Sequence, residues 1–303
     1  MPIEVIKAKS AVSLESNPGD PAYLKIRDLI YRTSGIYHAE GKLYALIPRC
    51  ARRMVALGAA SASEYLEHLT TRANRAAELR LLLNEITIGE TYMFRHPAQL
   101  DALRNVILPQ ILQAKGSVSL KRLRFWCAGC STGEEAHTLA MLLLEEKDKL
   151  LAGWTWHILA TDLNDNSLET ARAGIYGQYA LRDTREKLRR KYFKDIGDKR
   201  LQANDLLKAQ IRFDRVNLSD DSKMLFQKGL DIIFCCNVLI YFDLASKRRV
   251  VQHFYSSLLP GGYLFLGQTE SLFQVDDSFR LVHFPGTTAY WKPMAAQAGG
   301  AQK

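Results

Sequence analysis

Residues 123–135 of the chain read LRFWCAGCSTGEE. The apolar run LRFWCAG that opens this stretch predicts a buried strand, and the residues from Glu134 to about Leu150 predict a helix. Between the strand and the helix, three small residues let the backbone turn tightly and approach a bound ligand: Gly129, Ser131 and Gly133. A buried strand, a tight turn and a helix in this order form the first unit of an α/β fold.

The alternation of strands and helices continues towards the end of the chain. Apolar patterns predict further strands at 154–163, 211–218, 230–240 and 263–269, and helices at about 165–174 and 244–258. The stretch LVHFPGTTAYWKP indicates a hairpin that turns at Pro285 and Gly286. We therefore predict an α/β fold with a doubly wound, mostly parallel sheet, helices on both faces and a C-terminal antiparallel hairpin.

The sequence before this α/β body has a different pattern. Residues 21–88 repeat apolar positions at helical spacing and predict a small all-helical domain, in which Ser61 or Ser63 caps the third helix. The remaining predicted segments are flexible tails at 1–20 and 295–303, a linker with a connecting helix at 89–120, and the α/β domain at 121–294. Residues 175–210 are too many and too basic for a plain connection, so we interpret them as an inserted subdomain.

Composition limits the class of protein. The 303 residues are 47% hydrophobic, which excludes a disordered chain, and no stretch approaches the roughly 18 apolar residues of a membrane-spanning helix. The N-terminus has no basic head followed by an apolar run, so we expect no secretory signal and a cytoplasmic protein. Cys127 and Cys130 form a C-x-x-C pattern, but a zinc site would need two further ligands at matching spacing. We interpret both as small buried side chains and expect no metal.

The formal net charge of +9 is concentrated in two segments. Residues 21–88 carry ten Lys and Arg against six Asp and Glu, and residues 182–200 carry nine against four. A basic surface can attract nucleic acid, an anionic membrane or an acidic protein, but no aromatic RNA-binding signature or zinc finger is present. We expect no nucleic acid as partner. Arg49, Arg52 and Arg53 share one helix face, which is either a solvated face or a docking surface for an acidic helix.

Polar side chains suited to a nucleoside follow the predicted strands. In an open α/β sheet, ligands bind beyond the carboxyl ends of the strands. The glycine-rich loop is followed by Glu134 and Glu135 and contains no Lys or Arg, which favours a ligand with positive charge over a phosphate. Asp162 can accept both hydroxyls of a ribose, with a helix N-cap as its structural alternative. Asn217 and Asn237 can each donate to and accept from an adenine edge or an amino-acid end group, so together these residues predict a nucleoside pocket.

The same loop suggests an alternative. Residues 129–133 match G-x-S-x-G, the nucleophile elbow of α/β-hydrolases, with Ser131 as the nucleophile. The candidates for the other triad positions are Asp231, Asp243, His253 and His283. Asp231 opens a predicted strand, His253 lies within a predicted helix, and no HGGG-type oxyanion loop is present. These features disfavour a hydrolase.

Several motifs, in one order along the chain, resemble a known family. They are RDLIYRTSGIY in the helical domain, ITIGETYMFRHP (86–97), FWCAGCSTGEEAHTLAM (125–141), ATDLNDNSLETARAGIY (160–176), IIFCCNVLIYFD (232–243) and LPGGYLFLGQTESL (259–272). Over roughly residues 20–293, the chain resembles the CheR family of chemotaxis receptor methyltransferases. The resemblance implies a class I methyltransferase domain, preceded by a helical domain and carrying a small inserted β-subdomain. It also implies S-adenosylmethionine as cofactor, S-adenosylhomocysteine as product, and glutamate side chains of chemoreceptors as acceptors.

The resemblance assigns roles to individual residues. Thr91 and Arg95 of the ITIGETYMFR motif would lie over the cofactor and the active site. Glu135 would contact the methionine part of the cofactor, and Asp162 its ribose. Some members have Asn where this chain has Gly89, so a side-chain contact to the cofactor is missing at that position.

Further roles fall on the segments that follow two later strands. Asn217 and Leu218 would frame the adenine, and Cys236 with Asn237 would close the pocket. Many members have Arg at the position of Cys236, so only a backbone contact is expected there. Tyr241 would face the sulfonium methyl and the incoming substrate.

The implied chemistry needs neither a general base nor a metal. A sulfonium methyl is already activated, and a glutamate carboxylate, with a reference pKa of about 4.3, is ionised at neutral pH. The protein must align the two reactants and remove water from the carboxylate, and we expect Arg95 to hold that carboxylate. In the alternative reading, Arg95 only ties the helical domain to the body.

The implied partner is the Glu-rich helical region of chemoreceptors. Arg49, Arg52, Arg53 and the basic 182–200 segment are the candidate docking surfaces, and in some members the inserted subdomain docks a receptor tail peptide. We expect a monomer that does not insert into a membrane. Two further functions stay open: a binding module that keeps the cofactor pocket without catalysis, and a small-molecule methyltransferase, which would leave the basic helical domain without a role.

Overall fold

The computed structural model describes residues 19–116 and 121–294, which divide into two compact units between Ile86 and Thr87. Apart from residues 19 and 20, the tails predicted at 1–20 and 295–303 lie outside the described residues. Within the described ranges, no helix combines the length and the apolar character needed to cross a bilayer.

The first unit is helical. Its elements are α1 (Ala22–Ser34), a 3-10 helix (Glu40–Ala45), α2 (Ile47–Leu57), α3 (Ala62–Thr70) and α4 (Arg75–Ile86). The helix α3 begins at the predicted N-cap Ser61, whose hydroxyl accepts the backbone N–H of Glu64 at 3.1 Å. Each long helix buries an apolar face, and the side chains that form the core include Ile26, Ile30, Met54, Tyr65 and Leu82. The predicted all-helical unit is thus present.

The second unit alternates strands and helices, as predicted. Its strands are β1 (Arg122–Ala128), β2 (Thr155–Asp162), β3 (Ile175–Gly177), β4 (Phe193–Asp195), β5 (Arg200–Ala203), β6 (Ile211–Arg215), β7 (Leu230–Cys235), β8 (Leu258–Leu266), β9 (Arg280–Phe284) and β10 (Thr287–Trp291). Its helices are α5 (Pro97–Ala102), a π-helical turn (Leu103–Ile107), α6 (Leu108–Lys115), α7 (Glu134–Glu146), α8 (Asp165–Ala173), α9 (Glu186–Tyr192), α10 (Asp205–Lys208), α11 (Asp221–Met224), a 3-10 turn (Leu239–Tyr241) and α12 (Leu244–Ser257).

Seven strands form the main sheet in the order β6-β2-β1-β7-β8-β10-β9. Neighbouring strands from β6 to β8 are parallel, whereas β10 is antiparallel to both β8 and β9. The doubly wound, mostly parallel sheet with a C-terminal hairpin is therefore confirmed. The strand order reverses at β1, because β2 lies on one side of it and β7 on the other. A topological switch point, where ligands of open α/β sheets bind, consequently lies between β1 and β7.

The strand β1 shows how one apolar run supports two helical layers. Phe125 and Cys127 belong to one buried cluster, and Trp126 and Ala128 belong to the other, because successive side chains of a strand point to opposite faces. Trp126 also donates its indole N–H to Thr161 Oγ1 at 2.9 Å, so its polar atom is satisfied inside the core.

The predicted inserted β-subdomain is also present. The strands β3, β4 and β5 form a separate antiparallel sheet in the order β3-β5-β4, which directly follows α8. Several predicted boundaries were wrong. The strand β6 ends at Arg215 and not at 218, and β8 spans Leu258–Leu266 and not 263–269. The helix α7 ends at Glu146 and not near Leu150, because the backbone N–H groups of Lys149 and Leu151 return to the Glu146 carbonyl and close turns. The strand β7 ends at Cys235 and not at 240, because Asn237 has φ +62°, which is incompatible with an extended strand.

Candidate functional site

The glycine-rich loop after β1 packs tightly at the switch point. Gly129 has φ +83°, and a Cβ atom there would lie only 2.4 Å from Cγ2 of Val238, in the segment after β7. On the other side, the backbone N–H groups of Gly129 and Cys130 donate to the carbonyl of Thr161 in β2 at 2.8 and 2.9 Å. The loop is thus held between both neighbours of β1, with its backbone close to the place where a ligand binds.

Asp162 ends β2 and fastens this loop. Its Oδ2 accepts the backbone N–H of Ser131 at 2.7 Å, and its Oδ1 accepts that of Asn164 at 2.9 Å. Burial raises the pKa of Asp162, against the opposing effect of these two N–H groups. Each oxygen keeps a further lone pair for a ligand hydroxyl. The alternative reading of Asp162 as a helix N-cap is wrong, because α8 is capped by Asn164, whose side chain accepts the N–H of Ser167.

Glu135 lies in the first turn of α7, directly after the loop. Burial raises the pKa of this carboxyl to about 7, while hydrogen bonds from the thiols of Cys127 and Cys236 and the charge of Arg95 lower it. The Cys236 thiol also lies 3.5 Å from Oε1 of Gln99. Glu135 is therefore a half-buried acid among polar groups, and a cationic ligand beside it would stabilise its ionised form.

Arg95 brings a positive charge to the same pocket. Its Nη1 donates to the carbonyl of Glu90 at 2.8 Å, within the segment between α4 and α5. Its charge lowers the pKa values of both Glu135 and Tyr241, so Arg95 lies within electrostatic range of these two predicted site residues. Burial raises the pKa of Tyr241, which keeps its phenol protonated at neutral pH. Thr91 is half-buried in the same segment as Arg95.

Asn217 and Leu218 follow β6, which pairs with β2, at the same edge of the sheet. The side-chain Oδ1 of Asn217 accepts the backbone N–H of Ser219 at 3.0 Å, and the backbone carbonyl of Asn217 accepts the N–H of Asp220. Asn217 therefore shapes a turn. Leu218 is buried in the core. The adenine contact assigned to these two residues stays a prediction.

Sequence reasoning missed Glu270, which follows β8 at the carboxyl edge. Its carboxylate accepts three backbone N–H groups: those of Asn237, Gly267 (2.8 Å) and Ile240 (3.1 Å). It thereby holds the turn that contains Asn237 and leads to Tyr241. The strand-end rule that pointed to Asp162 applies equally to Glu270, so a signal was available. Gln99 was also missed, and its position within α5 offered no comparable signal.

The structure does not assemble a hydrolase triad around Ser131. Among the described residues, the buried Ser131 Oγ has no hydrogen-bond partner. Asp231 lies at the start of β7 and binds Lys115, while Asp243 caps α12. His253 pairs with Asp221 on the surface. Because none of these groups bonds to Ser131, the geometry gives the hydrolase alternative no support.

Arg53 of the predicted basic face is not free. Its guanidinium forms two hydrogen bonds, of 2.9 and 2.8 Å, with the buried carboxylate of Glu78 in α4. Arg52 pairs with Glu85 at 2.7 Å but stays exposed, and Arg49 donates to the Glu85 carbonyl at 3.2 Å. The reading of the three arginines as one solvated face is therefore wrong for Arg53.

A seven-stranded sheet of this order, with a glycine-rich loop after β1 and an acidic residue ending β2, defines a class I methyltransferase. The profile of the CheR methyltransferase SAM-binding domain matches residues 89–287, and that of the CheR methyltransferase all-alpha domain matches residues 21–87. The chain belongs to the CheR methyltransferase family, and its cofactor is S-adenosylmethionine.

Named relatives agree with this membership. The chain is 32% identical to chemotaxis protein methyltransferase 2 of Vibrio cholerae over 274 residues, which cover 90% of this chain and 93% of that protein. It is 33% identical to chemotaxis protein methyltransferase 1 of Pseudomonas aeruginosa, with 84% and 92% covered. The chemotaxis protein methyltransferase of Vibrio parahaemolyticus is 34% identical, with 87% and 94% covered.

The residues at the switch point fit this cofactor. A carboxyl group at Glu135 is suited to a cationic methionine part, and the free lone pairs of Asp162 are suited to ribose hydroxyls. A Cβ atom at Gly89 would lie 2.8 Å from Ser131 Oγ, so the glycine leaves open the space beside this unpartnered hydroxyl. Within the described ranges, no group of three or more His, Cys, Asp or Glu side chains could hold a metal ion.

Proposed function

We propose that this protein transfers the methyl group of S-adenosylmethionine to glutamate side chains of chemoreceptors. The products are glutamate methyl esters and S-adenosylhomocysteine, and the activity is that of a protein-glutamate O-methyltransferase in chemosensory adaptation. The observation that carries the proposal is the switch point itself, where Asp162 accepts the N–H of Ser131 in the glycine-rich loop at 2.7 Å and Glu135 lies in the first turn of the helix that follows this loop. Arg95, whose charge lowers the pKa values of Glu135 and Tyr241, adds a binding group for an anionic acceptor. The names of the relatives, chemotaxis protein methyltransferases, support a receptor as the acceptor.

The cofactor is held by residues from four strand ends. Asp162 binds the ribose, Glu135 the methionine part, and Asn217 with Leu218 the adenine, while Thr91, Arg95, Cys236 and Asn237 complete the pocket. When bound, S-adenosylmethionine supplies a methyl group that its sulfonium already activates. The protein therefore needs to supply position and a dry environment, and alignment alone is worth up to about 7–11 kcal/mol.

Arg95 holds the acceptor carboxylate. Its Nη1 is bonded to Glu90, and the guanidinium has further N–H groups that can donate to a carboxylate oxygen. Tyr241 faces the acceptor as a neutral phenol, because burial raises its pKa. Neither residue removes a proton, since the glutamate carboxylate is already ionised at neutral pH.

The receptor approaches through basic surfaces. In the helical unit, Arg52 is the exposed member of the predicted face, with 57% of its side chain accessible, whereas Arg53 is committed to Glu78. We therefore assign docking of a Glu-rich receptor helix mainly to Arg52, with Arg49 at the edge of the face. The basic 182–200 segment of the inserted subdomain is the second surface.

The test is transfer of a labelled methyl group from S-adenosylmethionine to a purified cytoplasmic receptor fragment. The wild type should give label that is released by base, as expected of a carboxyl ester. Arg95→Ala should lower kcat by about ten- to a hundredfold, the loss expected when a charged hydrogen-bond donor is removed. Absence of base-labile label with the wild type would contradict the function. Binding of S-adenosylhomocysteine without transfer would instead identify a binding module, and an unchanged rate of Arg95→Ala would contradict the role of Arg95.

A further inference from the structure

The inserted β-subdomain reaches the segment that carries Arg95 through a stacked arginine. The Cζ atom of Arg182 lies 3.3 Å from the centre of the Tyr92 ring and 3.8 Å from that of the Tyr179 ring. Arg182 Nη1 also donates to the Tyr179 carbonyl at 2.8 Å. A guanidinium between two aromatic rings is fixed in orientation by cation–π contacts, which a flexible ammonium group makes less specifically.

Two hydrogen bonds join the same two segments. The Tyr179 hydroxyl donates to Glu90 Oε1 at 3.2 Å, and the Met93 backbone N–H donates to the Ala180 carbonyl at 2.9 Å. Arg95 in turn donates to the Glu90 carbonyl. Residues 179–182 of the subdomain therefore contact residues 90–93 on both sides of Tyr92.

The backbone of this segment needs such support. Phe94 has φ +59°, an unfavourable conformation for an aromatic residue that persists only when its surroundings hold it. Phe94 lies between Met93, which is bonded to the subdomain, and Arg95. The Cζ atom of Arg95 lies 5.8 Å from the centre of the Tyr92 ring, so both arginines contact the same aromatic side chain.

We propose that Arg182 is a positioning residue for methyl transfer, which acts by stacking on Tyr92 and so holding Arg95 over the site. This inference rests on the proposed function, in which Arg95 binds the acceptor carboxylate. It separates Arg182 from the other cations of the 182–200 segment: Arg182 contributes through its planar shape and not only through its charge. The inserted subdomain is then part of the active site as well as a docking surface.

The test uses a substitution that keeps the charge. Arg182→Lys should lower kcat about tenfold, since a small displacement of a catalytic group is costly, and should leave KM for the receptor fragment within about twofold. Arg212→Lys is the matched control, because it makes the same substitution at an exposed arginine of β6, outside the 182–200 segment, where Arg212 pairs with Asp214 at 3.0 Å. This control should keep the wild-type kcat.

A double-mutant cycle shows whether Arg182 acts through Arg95. In the Arg95→Ala background, Arg182→Lys should cause no further loss of kcat, whereas a merely structural role would lower kcat and the unfolding temperature in both backgrounds. An unchanged kcat of Arg182→Lys, a rise in KM alone, or additive losses would each overturn the proposal.

The same cycle, measured as affinity for S-adenosylhomocysteine, keeps this test separate from the proposed function. If the wild type methylates no receptor glutamate, the proposed function fails. Coupling between Arg182 and Arg95 in cofactor affinity would then still support the positioning role, and its absence would overturn that role.

Discussion

The carboxylate of Glu270 accepts the backbone N–H of Asn237 at 2.7 Å. A side chain from the loop after β8 thus bonds the turn after β7, the neighbouring strand that borders the switch point. Asn237 has φ +62°, so this turn depends on such a contact. Tyr241 lies at the end of the 3-10 turn that follows. The position of the residue proposed to face the acceptor is therefore set partly by Glu270.

Replacement of Glu270 by Gln should weaken cofactor binding. The amide group would turn an N–H donor towards at least one of the three backbone N–H groups, and the charge that strengthens these bonds would be lost. We expect the affinity for S-adenosylhomocysteine, measured by calorimetric titration, to fall about tenfold. Asp276→Asn is the matched control, because within the described part of the chain the Asp276 carboxylate accepts one hydrogen bond, from the N–H of Ser278 in a nearby turn. Equal affinities of Glu270→Gln and the control would contradict this assignment.

Removal of the Asp162 carboxylate should have a larger effect. Asp162→Ala loses the ribose acceptors and also frees the N–H groups of Ser131 and Asn164. We expect the wild type to bind S-adenosylhomocysteine in the micromolar range and the variant to bind at least about a hundredfold more weakly. Asp214 and Arg212 form a surface ion pair within β6, the strand next to β2. Asp214→Ala removes this pair and should bind S-adenosylhomocysteine as tightly as the wild type does. If Asp162→Ala binds S-adenosylhomocysteine as tightly as the wild type does, Asp162 does not bind the ribose.

Cofactor affinity should depend on pH through Glu135. Its pKa of about 7 lies above the ordinary value because burial disfavours the charge, so the carboxyl is mostly protonated below pH 7. A cationic amino group binds the ionised form, and affinity for S-adenosylhomocysteine should rise between about pH 6 and pH 8 and then level off. Glu135→Gln should abolish this dependence.

Glu134 provides the control for this pH profile. Burial raises the pKa of its carboxyl to about 7 as well, but its Oε2 is bonded to the Thr132 hydroxyl at 2.6 Å. Glu134→Gln should therefore keep the pH dependence of affinity. If Glu134→Gln loses the pH dependence of affinity and Glu135→Gln keeps it, the methionine part binds Glu134 and not Glu135, which would contradict the assignment.

Replacement of the two neighbouring arginines of α2, Arg52 and Arg53, should affect the stability of the protein to different extents. Arg53→Ala leaves the carboxylate of Glu78, which is 2% exposed, with only the Tyr65 hydroxyl as a remaining side-chain partner described in the structure, at 2.9 Å. Loss of the Arg53 guanidinium should lower the free energy of unfolding by about 3–5 kcal/mol, because it leaves a buried charge without its partner. Arg52→Ala breaks an exposed pair and should cost less than about 1 kcal/mol.

The same pair of variants tests docking. If Arg52 steers an acidic receptor helix, Arg52→Ala should raise KM for the receptor fragment and flatten its dependence on salt. Denaturant unfolding and receptor kinetics, measured on the same full-length variants, separate the two effects. Similar unfolding curves for both variants would show that the ion pair of Arg53 stabilises the protein no more than the exposed pair of Arg52.

The parts of the fold that could be predicted are those with a local pattern. The strand β1 is apolar on both faces, Asp162 ends a strand, and Glu135 lies in the first turn of the helix after the loop, so sequence position alone indicated the pocket. Contacts between distant segments have no such pattern. Glu270 and Asn237 are 33 residues apart, Tyr179 and Glu90 are 89 apart, and Gln99 bonds the carbonyl of Leu266 across 167 residues.

The basic face of α2 illustrates the same limit. Helical spacing correctly placed Arg49, Arg52 and Arg53 on one side of a helix, but it contained no information about what lies opposite. Glu78 is 25 residues from Arg53 and comes from α4. Only the packing of the two helices shows that one of the three charges is buried in an ion pair.

The central claim is that a glutamate carboxylate accepts the methyl group, and identification of the modified atom tests it most directly. A receptor fragment is incubated with the wild-type protein and S-adenosylmethionine, and its peptides are analysed by mass spectrometry before and after mild base. We predict methylation on glutamate residues that base removes and that is absent when those residues are replaced by Ala. Methyl groups on lysine or arginine nitrogen, stable to base, or no methylation of the fragment, would contradict the account.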